Sequence, residues 1–328
     1  PAMWDAAEAA AARLAHRLDR EIEIEEECSH VAADVIFRTL FSLPIEHHLA
    51  RDVFEEFKAY QRSQPILNLA ALVPLPRWMP RLFSRDTRRS AARIRALITQ
   101  LTQERAAQIA AGTAPNDLAT KIMTTADPVT GETFTTDEMV DQVAIFFLAG
   151  HETSASTLAW ALYIMALYLA AEALALETCD FAVMSKLRLS RDVFRETLRL
   201  YPPVPMMVRE AACPEVMRER SVRQGSQLVI SPWHLHRHTR LWDNPDGFDP
   251  GRWQTDNGKQ CQREAFIPFS AGARVCPGAG FAMIEGPLIL SRILRDYRVV
   301  AGPVPVPVAH LTVRARDGIH LTLTRRER

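Results

Sequence analysis

The sequence predicts a mainly α fold with small β-sheets gathered toward its C-terminal end. Three observations predict it. Apolar residues recur at helical spacing through most of the first 200 positions, including a periodic run from Thr136 to about Ala171. After Pro205 the texture changes to short alternating segments such as "SQLVIS" and "IHLTLTR", with Pro and Gly more frequent. No internal repeat and no Ser/Gly-rich linker divides the chain. The expected organisation is therefore one domain over 1–328, with a helical body at 1–210 and a β-rich region at 211–328.

The elements follow in order. "WDAAEAAAARLAHRLD" is Ala-rich and amphipathic, a helix from near Trp4. "EEECSHVAADVIFRTLFSL" opens acidic, which suits a helix N-terminus, and stops at Pro44. "LARDVFEEFKAYQRS" is a third helix, and the Pro-punctuated "LVPLPRWMPRLF" a connector. "RDTRRSAARIRALITQLTQERAAQIAAG" is a long helix closed by Gly112, and a short helix with turns fills 113–136. Thr136 is the expected N-cap of the longest helix, with Asp137 and Glu138 in its first turn. A further helix must end before Pro202.

Composition narrows the function classes. Basic and acidic residues balance at 39 each, so neither a nucleic-acid footprint nor a basic membrane-docking surface is expected. The chain of 328 residues is long enough to bury a sizeable core, and its 48% hydrophobic and 24% charged residues are ordinary for a globular protein. Cys28, Cys179, Cys213, Cys261 and Cys276 form no C-x-x-C pair. That argues against zinc and for free thiols in a reducing cytoplasm, the first four read as small buried hydrophobes. "ASTLAWALYIMALYLAA" is 17 residues with two Tyr, short of the ~20 apolar residues of a membrane span. No signal-peptide pattern follows Pro1, and a fragment or processed product is expected.

The chemistry-bearing stretch is "FSAGARVCPG", Phe269 to Gly278, spaced F-x-x-G-x-R-x-C-x-G. It resembles the haem-binding loop of the cytochromes P450. The physical chemistry agrees with that resemblance. A thiolate ligand pushes electron density onto haem iron. Pro277 suits the first turn of a helix whose N-terminus faces the Cys276 sulfur and favours its anion. Gly272 permits a tight turn, Gly278 a close approach to a flat ring, and Arg274 can pair with a propionate.

Four further stretches follow the family's pattern. "AGHETS", Ala149 to Ser154, is similar to its long-helix motif. Gly150 costs roughly 1 kcal/mol against Ala within a helix, which makes sense if the helix opens there. Ala149 and Gly150 then lie against the haem, with Glu152 and Thr153 delivering protons to dioxygen and His151 structural or gating. "ETLRLYPP" resembles the E-x-x-R helix, Glu196 and Arg199 sharing a face at i, i+3. "FDPGRW" resembles the meander, Arg252 joining Glu196 and Arg199 in a structural triad. Arg209 in "VPMMVREA" stands where the family often holds a propionate. Val204, Met206 and Met207 are read as substrate pocket or, equally, as core packing.

The resemblance implies a cytochrome P450 fold lacking its N-terminal sheet and first helices. It also implies a monooxygenase using haem b (iron protoporphyrin IX) and O2 on a hydrophobic small molecule, of fatty-acid or terpenoid type. Electrons are expected from a ferredoxin or flavodoxin with an NAD(P)H-dependent reductase. No nucleic-acid partner and no transmembrane segment is expected. The alternatives are a peroxide-driven haem-thiolate oxygenase, against which Thr153 argues, and a non-catalytic remnant. Two departures stand out: a shortened connection at "AAEALALETCDFAVMSKL", and Gly286-Pro287 inside the helix after Cys276, where Pro should produce a kink.

Overall fold

The computed structural model describes residues 1–63, 84–167, 187–310 and 312–326. The expected Pro-rich connector, the shortened connection and Cys179 lie almost wholly outside them. The chain divides into two compact units, one formed by Pro1–Arg13 with Glu26–Ala155 and the other by Leu14–Glu25 with Ser156–Arg328.

The first unit is helical: α1 (Ala2–Ala15), α2 (Ile24–Phe41), α3 (His48–Arg62), α4 (Arg85–Ala110), α5 (Leu118–Thr124) and the first part of α6 (Thr136–Leu167). Its core holds Phe37, Phe41, Phe54, Phe57, Ile98 and Phe147. On α3 the apolar side chains at 50, 53, 54 and 57 are buried at helical spacing. Gly112 closes α4 at φ +68°, a left-handed conformation that Gly adopts without a Cβ clash. The Arg105 guanidinium reaches Asp117 at 2.8 Å and the Phe41 carbonyl at 2.7 Å, which ties α4 to the end of α2.

The cap of α6 corrects the sequence reading. Thr136 is the first helical residue, and Thr135 is the cap. Glu138 Oε2 accepts from the Thr135 backbone N–H at 2.9 Å, while the Glu138 N–H donates to Thr135 Oγ1 at 3.3 Å. This is a reciprocal capping box. The Thr135 backbone N–H and, at 2.8 Å, the Thr135 hydroxyl donate to the Glu138 carboxyl and hold it below its ordinary range. Among the described residues no helix is long and apolar enough to cross a membrane.

The second unit carries the sheets. Strand β1 (Glu21–Glu23) precedes α7 (Arg188–Leu200), and β2 (Met207–Glu210), β3 (Glu215–Met217), β4 (Arg220–Val222) and β5 (Gln227–Ile230) follow. Then come α8 (Pro232–Leu235), α9 (Asp256–Glu264), α10 (Ala279–Asp296), β6 (Tyr297–Ala301), β7 (Pro307–Ala309), β8 (Val313–Ala315) and β9 (His320–Arg325). One antiparallel sheet has the order β1-β9-β6, and the pairs β2-β5, β3-β4 and β7-β8 form three more. Strand β1 was not foreseen. Its acidic "EIE" lacks a strand pattern, and only Ile22, opposite Leu321, is buried.

A small aromatic core of Trp242 and Trp253 encloses Cys261 and Ala265. Cys28 and Cys261 are buried, whereas Cys213 is exposed, correcting its reading as a buried hydrophobe. It lies in the bend between β2 and β3, where no apolar layer covers it.

Candidate active site

In the second unit, α7 buries the apolar Val193, Phe194, Leu198 and Leu200 together with the polar Ser190, Asp192 and Thr197. The same helix buries Glu196 and Arg199, both 0% exposed. Arg199 grips Glu196 in a fork, Nη2 to Oε1 at 2.8 Å and Nε to Oε2 at 3.0 Å. Arg252 approaches the same carboxylate, Nε to Oε1 at 3.1 Å, from the 3₁₀ turn Pro250–Gln254. Two guanidiniums on one carboxylate leave an excess positive charge, and backbone carbonyls answer it. Arg199 donates to His236 O at 2.9 Å and Gly247 O at 2.8 Å, and Arg252 to Asn244 O at 2.9 Å and to Asp243 O. Trp242 lies beneath both guanidiniums, 5.4 and 6.0 Å from their centres.

His236 connects this cluster to the cysteine loop. Its carbonyl takes Arg199, and its Nε2 accepts the Ile267 N–H at 3.0 Å. Burial pushes its pKa down to about 3, so the ring is neutral at physiological pH. Sequence reasoning passed over His236, because its partners lie 31 and 37 residues away.

The loop itself is open. Phe269 is half-buried, while Ala271 to Pro277 are exposed, Arg274 and Cys276 among them. Its turn is set by two left-handed residues, Ser270 at φ +64° and Gly272 at φ +67°. Gly272 adopts this conformation freely, whereas Ser270 does so at some cost. The Cys276 N–H closes the turn on Phe269 O at 2.8 Å. Gly278 then caps α10, and a Cβ there would stand 3.7 Å from Cys276 Sγ, an ordinary contact. Arg209, half-buried on β2, donates Nη2 to Ser270 Oγ at 2.7 Å, so this guanidinium and the thiol belong to one small structure. Ser270 is a second residue that sequence reasoning missed; the positive φ that marks it is not readable from a Ser.

Helix α10 is anchored by close packing on α7. A Cβ on Gly286 would come within 2.2 Å of the Phe194 ring, so only Gly fits there. Pro287 lies within a single helical element, Ala279–Asp296. Val204 and Met207 are half-buried and Met206 is 54% exposed, so none of the three is in the core.

In the first unit, Ala149 to Thr153 lie on α6, which is continuous through Gly150. The expectation of an opening at Gly150 is therefore corrected. Its missing side chain accommodates α2, since a Cβ would meet Ile36 Cδ1 at 3.0 Å. Thr153 Oγ1 donates to the Ala149 carbonyl at 2.7 Å. His151 is fully buried, stacked on Phe147 at 4.8 Å with Nδ1 3.0 Å from the Phe147 carbonyl. Glu152 is 4% exposed and accepts from Gln61 Nε2 at 2.6 Å.

A family model described as cytochrome P450 matches residues 2–311. The chain belongs to the cytochrome P450 family. It is 30% identical over 302 residues to cyclooctat-9-en-7-ol 5-monooxygenase of Streptomyces melanosporofaciens, covering 87% of this chain and 63% of that protein. Cyclooctatin synthase of the same organism is 29% identical over 317 residues, covering 92% of this chain and 66% of the relative. The chain thus spans slightly less than two thirds of the length of these curated relatives. The crystal structure of the cytochrome P450DA heme domain superposes with a TM-score of 0.84 at 23% identity, over 99% of this chain and 72% of that one. That likeness shows the shared fold, mainly helical with small sheets.

Membership in the P450 family implies a haem cofactor, and the second unit's residues fit one. The donor set is an exposed thiol at a helix start, flanked by the exposed Arg274 and by Arg209. A soft sulfur suits iron, and guanidiniums suit carboxylates.

Proposed function

We propose that this chain carries the haem- and oxygen-handling part of a cytochrome P450 monooxygenase. The observation that carries the reading is Cys276. Its thiol is exposed on a loop whose turn, carbonyl bonds and helix start are all fixed by the protein. In this reading Cys276 would hold the iron of haem b through its sulfur. Haem b, when bound, supplies the redox chemistry that splits dioxygen and places one atom in a substrate C–H bond.

The chain's own residues do the rest. The N-terminal end of α10, capped by Gly278, follows the sulfur's residue closely, so the positive end of the helix dipole would lie beside the ligand. Arg274 and Arg209 pair with the propionates, Ser270 Oγ holding Arg209 at its post. Phe269, Gly272 and Gly278 would shape the loop that receives the cofactor, and Ala149 and Gly150 are read as cofactor-binding residues. Glu152 and Thr153 hold and move protons, Thr153 from a hydroxyl docked on its own helix. Glu196, Arg199 and Arg252 brace the loop without reacting, through His236 and Ile267. Val204, Met206 and Met207 contact an apolar substrate. The relative named as a monooxygenase of cyclooctat-9-en-7-ol supports an unsaturated alcohol as the kind of substrate. Electrons come from a separate ferredoxin or flavodoxin and its NAD(P)H-dependent reductase.

The test is the absorption spectrum of haem-loaded, reduced, CO-treated protein. A strongly red-shifted Soret band, lost in Cys276→Ala, is the expected result. Haem-loaded protein without that band, or a band that survives Cys276→Ala, overturns the assignment.

A further inference from the structure

We propose that Gln61, in the last turn of α3, is the positioning residue that orients the Glu152 carboxylate for proton delivery. This rests on the reading of Glu152 and Thr153 as the proton-handling pair, and adds to it a residue from a helix that the motif does not include.

The contact is short and set within a buried environment. Gln61 Nε2 donates to Glu152 Oε2 at 2.6 Å, and Glu152 is 4% exposed. That separation is at the short end for an N–H···O bond. An amide NH₂ can only donate, so it selects which carboxylate oxygen faces α3 and thereby where the other one points. A proton donor must be held within hydrogen-bond reach of its target, so its orientation matters as much as its identity.

The helix that carries Gln61 is itself held in register on α6. Phe54, Phe57 and Gln61 recur at i, i+3 and i+7 along one face of α3. The Phe54 and Phe57 rings meet His151 edge-on, at 6.2 and 6.3 Å, and Phe57 lies 4.5 Å from Phe147. His151 and Glu152 are consecutive on α6, so the aromatic seam ends at the Gln61–Glu152 bond. This seam limits the axial play of α3, and the amide reaches Glu152 from a fixed place. Thr153 is held differently, by its own helix at the Ala149 carbonyl. One member of the pair thus bonds to α6 itself and the other to a residue of α3.

Isosteric substitutions at position 61 test this in the haem-loaded full chain. Gln61→Met keeps the length of the side chain and removes the donor, and Gln61→Glu keeps the shape and cannot donate from an ionised carboxylate. The first readout needs no turnover: the infrared carboxylate band that disappears in Glu152→Gln. It should shift in both variants, and an unmoved band overturns the contact.

The second readout is the fraction of reducing equivalents lost as hydrogen peroxide, with the solvent deuterium isotope effect on oxygenation. Positioned proton donors supply ~10²–10⁴-fold in general, so mispositioning by Gln61→Met should slow oxygenation roughly 10-fold and raise peroxide release. In the Glu152→Gln background, Gln61→Met should add nothing. An equal effect in both backgrounds means a merely structural role and overturns the proposal. If Glu152→Gln changes both quantities and Gln61→Met changes neither, the Gln61 assignment falls and the proton-handling reading stands. If Glu152→Gln changes neither, the reading beneath the proposal falls, whatever the infrared band does.

Discussion

The Glu196–Arg199–Arg252 cluster and the Phe269–Gly278 loop lie in the same unit and treat polar groups in opposite ways. In the cluster the three side chains are at most 4% exposed, and the charges are matched by one another and by backbone carbonyls. On the loop, Arg274 and Cys276 face outward. Groups that hold a fold turn their bonding capacity inward, because an unmatched buried charge is costly. Groups that meet a ligand keep theirs directed outward. The E-x-x-R and cysteine-loop motifs look equally chemical as sequence, and burial is what separates them.

The contrast predicts opposite responses to truncation. Removing one partner of a buried pair leaves an uncompensated charge, a cost of ~3–5 kcal/mol. Glu196→Ala should lose that much in denaturant unfolding, or fail to fold, since it strands two guanidiniums. An unchanged unfolding midpoint would break the comparison at its stronger end.

The next largest effect lies where α7 supports the loop's helix. A Cβ on Gly286 meets the Phe194 ring at 2.2 Å, and overpacking of this kind costs ~1–3 kcal/mol. Gly286→Ala should fall at the upper end, because an aromatic ring cannot yield as a flexible chain end does. The same change at Gly150 meets only Ile36 Cδ1 at 3.0 Å and gains roughly 1 kcal/mol of helix propensity. Its net effect should be close to zero. Thermal unfolding of the two variants side by side checks the pair.

These two glycines also mark what the sequence could carry. The periodic runs announced the long helices, and Glu196 and Arg199, three apart on one helix, announced a shared face. Gly272 announced a turn, and it has φ +67°. None of these readings needed a distant partner. Gly286 had no reading apart from the kink expected at Pro287, and its physical reason is a ring on another helix. Gly150 looked like an opening, and its reason is Ile36. β1, Gln61, His236 and Ser270 escaped for the same cause. Each is defined by a residue far along the chain: β1 by β9, Gln61 by Glu152, His236 by Ile267 and Ser270 by Arg209.

His236 offers a graded test of the link between cluster and loop. It is buried neutral with a pKa near 3, well below its unfolded value of ~6.5. The unfolded chain therefore takes up this proton at a higher pH than the folded protein does. Stability from this site is present above pH ~6.5 and is lost as pH falls toward 3. Between pH 7 and pH 5 the loss should be about 2 kcal/mol. His236→Gln removes the titration, so its unfolding free energy should fall less over that range by about the same amount. Equal pH slopes in the two proteins would mean that His236 titrates alike in both states.

The smallest stability effect is expected at the residue on which the proposed chemistry depends. In haem-free protein Cys276→Ala removes a sulfur that is already exposed, and surface substitutions of this kind stay within about ±0.5 kcal/mol. The backbone bond from the Cys276 N–H to Phe269 O does not involve the side chain and should persist. Denaturant unfolding of haem-free Cys276→Ala should therefore overlay the parent, whereas haem-loaded protein should lose the stabilisation that axial ligation adds. A large loss without haem would mean that the sulfur braces the loop as Glu196 braces the cluster, and the division between inward-facing and outward-facing groups would fail at its most important member.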